Sequence, residues 1–98
     1  MGILHILIAT FMFDYLSVKT VKDNVGILVK TLRNRENLSQ EQLAEKLSMS
    51  RITIQNLESG KNPTMDTLIK VVLYFDLLES FNQYVNSEIQ NNSQQSLY

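Results

Sequence analysis

The chain has no cysteine, a single proline, a single histidine and three glycines in 98 residues. Without cysteine there is no disulfide framework and no thiolate metal site, which suits a cytoplasmic protein. His5 stands alone in an apolar run, so it is read as an incidental residue rather than a metal ligand or a base. The phosphate-loop pattern G-x-x-x-x-G-K, the zinc pattern H-E-x-x-H and the nucleophile pattern G-x-S-x-G do not occur. No nucleophile–base pair and no metal cluster can be assembled, so the sequence predicts no enzyme, no metal and no cofactor. Long apolar runs are also lacking. The run from Ile3 to Phe13 falls short of the ~20 residues that cross a bilayer. It has neither the basic start nor the small-residue cleavage site of a signal peptide.

A strong charge of either sign is absent too: the net charge is −1. It is unevenly spread. Residues 19 to 62 hold eight cations against five anions, a surplus of +3, whereas residues 63 to 98 hold one cation against four anions, a deficit of −3. With so small a basic excess, few phosphates can be neutralised, and non-specific affinity for nucleic acid should be modest.

What is present is concentrated between Leu38 and Pro63, LSQEQLAEKLSMSRITIQNLESGKNP. Ser39 with Gln42 three residues on is a capping box, and it predicts a helix over Gln40 to Leu47 with Leu43, Ala44 and Leu47 inward. Ser50 caps a second helix over Arg51 to Ser59 with Ile54 and Leu57 inward. Gly60 suits the positive-φ position after a helix, and Pro63 forbids continuation. Such a pair is either a scaffold αα-hairpin or a helix-turn-helix that lays its second helix in the major groove of DNA. A scaffold favours Glu and Lys outside. Here the outer face of the second helix carries Arg51, Thr53, Gln55 and Asn56, side chains that hydrogen-bond base edges. That choice favours the DNA-reading alternative.

Four segments strengthen it. They are V-G-x-x-V-x-x-L-R in Val25 to Arg33, L-S-Q-E-Q-L-A in Leu38 to Ala44, S-R-x-T-I-x-N-L-E-S-G in Ser50 to Gly60, and N-P-T-x-x-T-L in Asn62 to Leu68. On these residues the chain from about Val25 to Leu77 resembles the phage-repressor/Cro (Xre-type) helix-turn-helix family. The resemblance implies an all-α fold, a five-helix lambda-repressor-like domain that binds a double-stranded DNA operator, usually as a homodimer. It places Arg51, Ile52 and Gln55 on the groove-facing surface, with Asn56 beside them. It also matches Arg33 to an arginine that pairs with the glutamate matched here by Glu58.

Chemistry adds further contacts. Ile52 suits a thymine methyl, Thr53 a phosphate or a base, and Gln40 a phosphate through its amide. Lys61 and Asn62, just past the second helix, are expected to reach backbone phosphates.

Around this unit the sequence predicts an N-terminal extension over residues 1–18, a domain over 19–87 and a disordered polar tail over 88–98. The extension is either a strand that pairs with its copy in a second subunit or a stretch preceding a natural start at Met12. The first domain helix is expected over Val21 to Glu36, with Val25, Val29 and Leu32 inward and Ile27 and Leu28 beside that stripe. Thr64 caps a helix over Met65 to Phe75, with Leu68, Val71, Val72 and Phe75 inward. A last helix over Leu77 to Ser87 carries Leu77, Leu78, Phe81, Tyr84 and Val85 at helical spacing, as core or dimer seam. Ile69, Leu73, Leu78 and Phe81 fall outside the core set and are expected to form a protein interface. The segment Thr67 to Phe81, and the polar tail ending in an aromatic residue, are similar to HipB-like antitoxins. That similarity implies a HipA-like kinase as an alternative partner, although some of those antitoxins continue as a strand where this chain keeps helical spacing.

Overall fold

The computed structural model describes Ile3 and residues 16–96. The predicted N-terminal strand and the pair Leu97-Tyr98 lie outside the described residues, Ile3 apart. Among the described residues the fold is all-α. Its five helices are α1 (Val18–Arg35), α2 (Gln40–Lys46), α3 (Arg51–Glu58), α4 (Met65–Tyr74) and α5 (Leu78–Ser96). The chain divides into two compact units, Met1–Pro63 and Thr64–Tyr98.

Every helix start but the last is set by a hydroxyl. Ser17, Ser39, Ser50 and Thr64 each accept a hydrogen bond from a backbone N–H in the first turn that follows. Ser39 and Gln42 close the predicted capping box, with Ser39 N–H donating to Gln42 Oε1 at 2.8 Å. Ser17 is why α1 begins at Val18 rather than near Val21: it offers an acceptor to Thr20 N–H at 3.1 Å.

The helix ends share one device. In each of the four connections, the residue three past the last helical residue donates its N–H back into the helix. Leu38 donates to Arg33 O, Met49 to Ala44 O, Lys61 to Asn56 O and Leu77 to Val72 O, at 2.8–3.1 Å. The residue before each donor has positive φ: Asn37 at 58°, Ser48 at 55°, Gly60 at 76° and Asp76 at 61°. This is the Schellman cap, which satisfies carbonyls the helix leaves open. Only one of the four uses glycine.

In the first unit α2 packs on α3, and α1 crosses α3. Val29, Leu32, Leu43, Ala44, Ile54 and Leu57 are buried. Val25 and Leu47, expected inside, are half-buried. Gly26 is buried, and a methyl group there would lie 2.5 Å from the carbonyl oxygen of Glu58 and 2.8 Å from that of Leu57. The backbones of α1 and α3 therefore meet at this point, and only glycine allows it. Ile27 and Leu28 are exposed, outside the core stripe as their positions predict.

In the second unit α4 packs on the start of α5, and Val71 and Phe75 are buried. Leu68 and Val72 are half-buried. Phe81, Tyr84 and Val85 are exposed, which of the two readings for their stripe, core or dimer seam, leaves the dimer seam. The last helix, expected over Leu77 to Ser87, spans Leu78–Ser96. Between Leu78 and Ser96 there is no glycine or proline to break it, and Glu and Gln are good helix formers. Asn92 Nδ2 also donates to Glu88 O at 2.7 Å along the helix.

Candidate nucleic-acid interface

Helix α3 is amphipathic over two turns. Ile54 and Leu57 are 0% and 1% exposed and point inward. At 100° per residue, Arg51, Gln55, Ile52 and Asn56 then fall in that order on the opposite arc. Arg51, Ile52 and Gln55 are exposed and Asn56 is half-buried. Ile52 is 65% exposed, an apolar side chain held in water on an otherwise polar face. Thr53 is half-buried, and its hydroxyl lies 2.9 Å from Ser50 Oγ.

The far end of α3 is fixed by an ion pair. Arg33 Nε donates to Glu58 Oε2 at 2.7 Å, and Arg33 Nη2 donates to Glu58 Oε1 at 3.0 Å. This fork-to-fork geometry is the strong form of the pair. The two side chains are only 9% and 4% exposed. Arg33 Nη1 also donates to Leu38 O at 2.7 Å and Asn34 Oδ1 at 3.3 Å. Burial pushes the Glu58 carboxyl up; the hydrogen bonds from Arg33 and Gln40, with the charges of Arg33 and Lys30, more than reverse this and hold it below the usual carboxylate range. The hydrogen bond to Glu58 raises Arg33 further, against the opposing effect of its burial.

Gln40 belongs to the same network. Its Nε2 donates to Glu58 Oε1 at 3.1 Å, so the residue expected at a phosphate also ties α2 to the end of α3. Asn62, likewise expected at a phosphate, accepts at Oδ1 from Lys22 Nζ on α1. Lys61 extends freely beside it, exposed. Lys22 and Gly26 have places here that were not assigned to them from sequence. Lys22 lies 40 residues from its partner, and no local pattern signals such a contact. Gly26 left a trace in the V-G pair, but what it meets is backbone, which no side-chain pattern encodes.

Two short helices with this crossing, an outward polar arc on the second and a buried Arg–Glu tie form a helix-turn-helix of the lambda-repressor-like, Xre type. The family described as Helix-turn-helix matches residues 29–79, just over half of the chain, and the chain belongs to it. It is a DNA-binding helix-turn-helix regulator. No curated protein and no solved structure matches the chain.

Ile69 and Leu78 are half-buried and Leu73 and Phe81 exposed. All four line one open groove of about 600 Å³ between α4 and α5, joined by Asp76, Glu79 and Asn82. Among the described residues no cluster of His, Cys, Asp and Glu could hold a metal ion, and no helix is long and apolar enough to cross a membrane.

Proposed function

We propose that the protein is a homodimeric repressor that reads a two-half-site operator with Arg51, Ile52 and Gln55. The observation that carries this reading is the exposed arc of α3. Arg51 there suits guanine O6 and N7, Gln55 suits adenine N6 and N7, and Ile52 suits a thymine methyl. Asn56 stands at the edge of the arc. Gln40, Lys61 and Asn62, with Lys22 beside Asn62, set register on phosphates; Gln40 does so with the amide N–H not given to Glu58. Thr53 contributes through the cap that holds Arg51 at the first turn. A surplus of only +3 over residues 19–62 gives one copy little hold on a duplex, which is why two half-sites are needed. The face of Ile69, Leu73, Leu78 and Phe81 supplies the subunit contact.

The test is selection of bound sequences from a pool of random duplexes, followed by binding to the selected site. Arg51→Ala and Gln55→Ala each weaken the selected site by about 1–3 kcal/mol and leave random duplex nearly unchanged. Lys61→Ala weakens all sequences alike and lowers the salt slope by about one. Unchanged binding of the selected site by Arg51→Ala would sink the groove assignment.

A second reading is an antitoxin that holds a HipA-like kinase and represses its own operon. The exposed apolar residues of α5 favour it, since a protein partner would cover them. The continued helix to Ser96 counts against those antitoxins that form a strand at this point. A kinase-like gene downstream supports the antitoxin; a phage or metabolic operon supports the plain repressor.

A further inference from the structure

The second unit ends in a helix that has little reason to be stable alone. Every side chain of α5 from Glu79 to Ser93 is exposed. Its sequence, LESFNQYVNSEIQNNSQQS, contains four Asn and four Ser, none of them strong helix formers. Isolated helices of this length are marginal in water unless a face is buried. One face is apolar. Leu78, Phe81, Val85 and Ile89 recur at helical spacing, with Tyr84 at its edge, and Phe81, Tyr84, Val85 and Ile89 are all exposed. The proximal end of this face forms the floor of the α4–α5 groove. Its distal end continues the same stripe beyond the groove.

We propose that the groove is filled by the distal half of α5 from a second copy, the two α5 helices packing antiparallel about a two-fold axis near Val85. This rests on the homodimer reading above and names its interface. Charge selects the occupant and the direction. The groove is rimmed by the carboxylates of Asp76 and Glu79. From Ile89 to Ser93 the helix carries no charge and includes Gln90, Asn91 and Asn92, whose type of N–H group donates to such a rim. Antiparallel pairing about Val85 sets Phe81 opposite the copy's Ile89 and Glu88 opposite its Asn82. Parallel pairing would instead bring Glu88 against Glu88 on the contact face, because Phe81 and Glu88 are seven residues apart. Leu73, Phe81, Tyr84, Val85 and Ile89 offer on the order of 500 Å² per copy, which places the pair near the ~1,000 Å² total of a specific interface.

The chain has no cysteine, so introduced thiols report the register directly. In the full-length protein, Val85→Cys forms a disulfide-linked dimer under mild oxidation. Phe81→Cys and Ile89→Cys, each alone, do not, since those pairs sit ~12 Å apart along the axis, beyond disulfide reach. An equimolar mixture of the two does. Because these positions are exposed, the substitutions leave the fold intact; circular dichroism checks this. Independently, Ile89→Glu raises the dimer Kd at least ten-fold by ultracentrifugation. Self-linking of Phe81→Cys or Ile89→Cys, an unlinked Val85→Cys, or an unchanged Kd for Ile89→Glu overturns the proposal. Selection of a two-half-site duplex by a chain that fails these tests removes the interface and leaves the operator reading. Correct cross-links with no sequence selected do the reverse.

Discussion

Arg33→Ala is the sharpest perturbation of the helix-turn-helix. The guanidinium makes two hydrogen bonds to Glu58 and one to Leu38 O, each at 3.0 Å or less. Truncation leaves a carboxylate whose side chain is 4% exposed facing an empty volume. Breaking one partner out of a buried pair costs about 3–5 kcal/mol. A chain of this size has ~5–15 kcal/mol in all, so the variant loses a large share of its stability. The melting temperature should fall by on the order of 20 °C, followed by circular dichroism with urea unfolding alongside. The pH dependence carries a sign. In the native protein Glu58 is held below its ordinary range, so its stabilisation is complete above the unfolded carboxylate pKa and is lost as pH falls through the folded value. Without Arg33, burial dominates and Glu58 rises, so the variant gains relative stability where Glu58 is protonated. The gap between the two proteins should therefore narrow from pH 7 to about pH 4. A double-mutant cycle with Glu58→Ala should show a coupling of about 2 kcal/mol or more. Additive effects, or a gap independent of pH, would refute the claim that this tie holds α3 in place.

Three further outcomes follow from particular contacts. Gly26→Ala improves helix propensity by ~1 kcal/mol yet should destabilise overall by at least ~2 kcal/mol, because its methyl would meet the Glu58 carbonyl at 2.5 Å; thermal melting decides the sign. Ser48→Gly relieves a non-glycine residue at φ 55° and should stabilise by ~1 kcal/mol in urea titration, with binding to a selected duplex unchanged. Leu73→Glu puts a charge into the α4–α5 groove and should give a folded monomer by ultracentrifugation, with weak binding to the two-half-site duplex; a variant that stays dimeric moves the subunit contact elsewhere.

Much of the helix-turn-helix is written locally, and local physics is legible in a sequence. A hydroxyl before an amphipathic run caps a helix, and Ser39, Ser50 and Thr64 did so where expected. Apolar spacing named Ile54 and Leu57 as inward and so left Arg51 and Gln55 outward, while the outward place of Ile52 came from the resemblance. The Arg33–Glu58 tie came from resemblance across 25 residues, and its forked geometry from the structure. Other features were decided only by tertiary structure. Nothing near Gly26 announces that another helix's carbonyls pass within van der Waals reach. The approach of Lys22 to Asn62, and of Gln40 to Glu58, depends on how α1, α2 and α3 cross. The length of the last helix was not legible either: its Asn, Ser and Gln residues carry no strong helical signal, and the helix spans Leu78–Ser96. Composition sets how readily a segment folds alone; the neighbours it meets in three dimensions settle which of its surfaces is core, which contacts DNA and which is left for another chain.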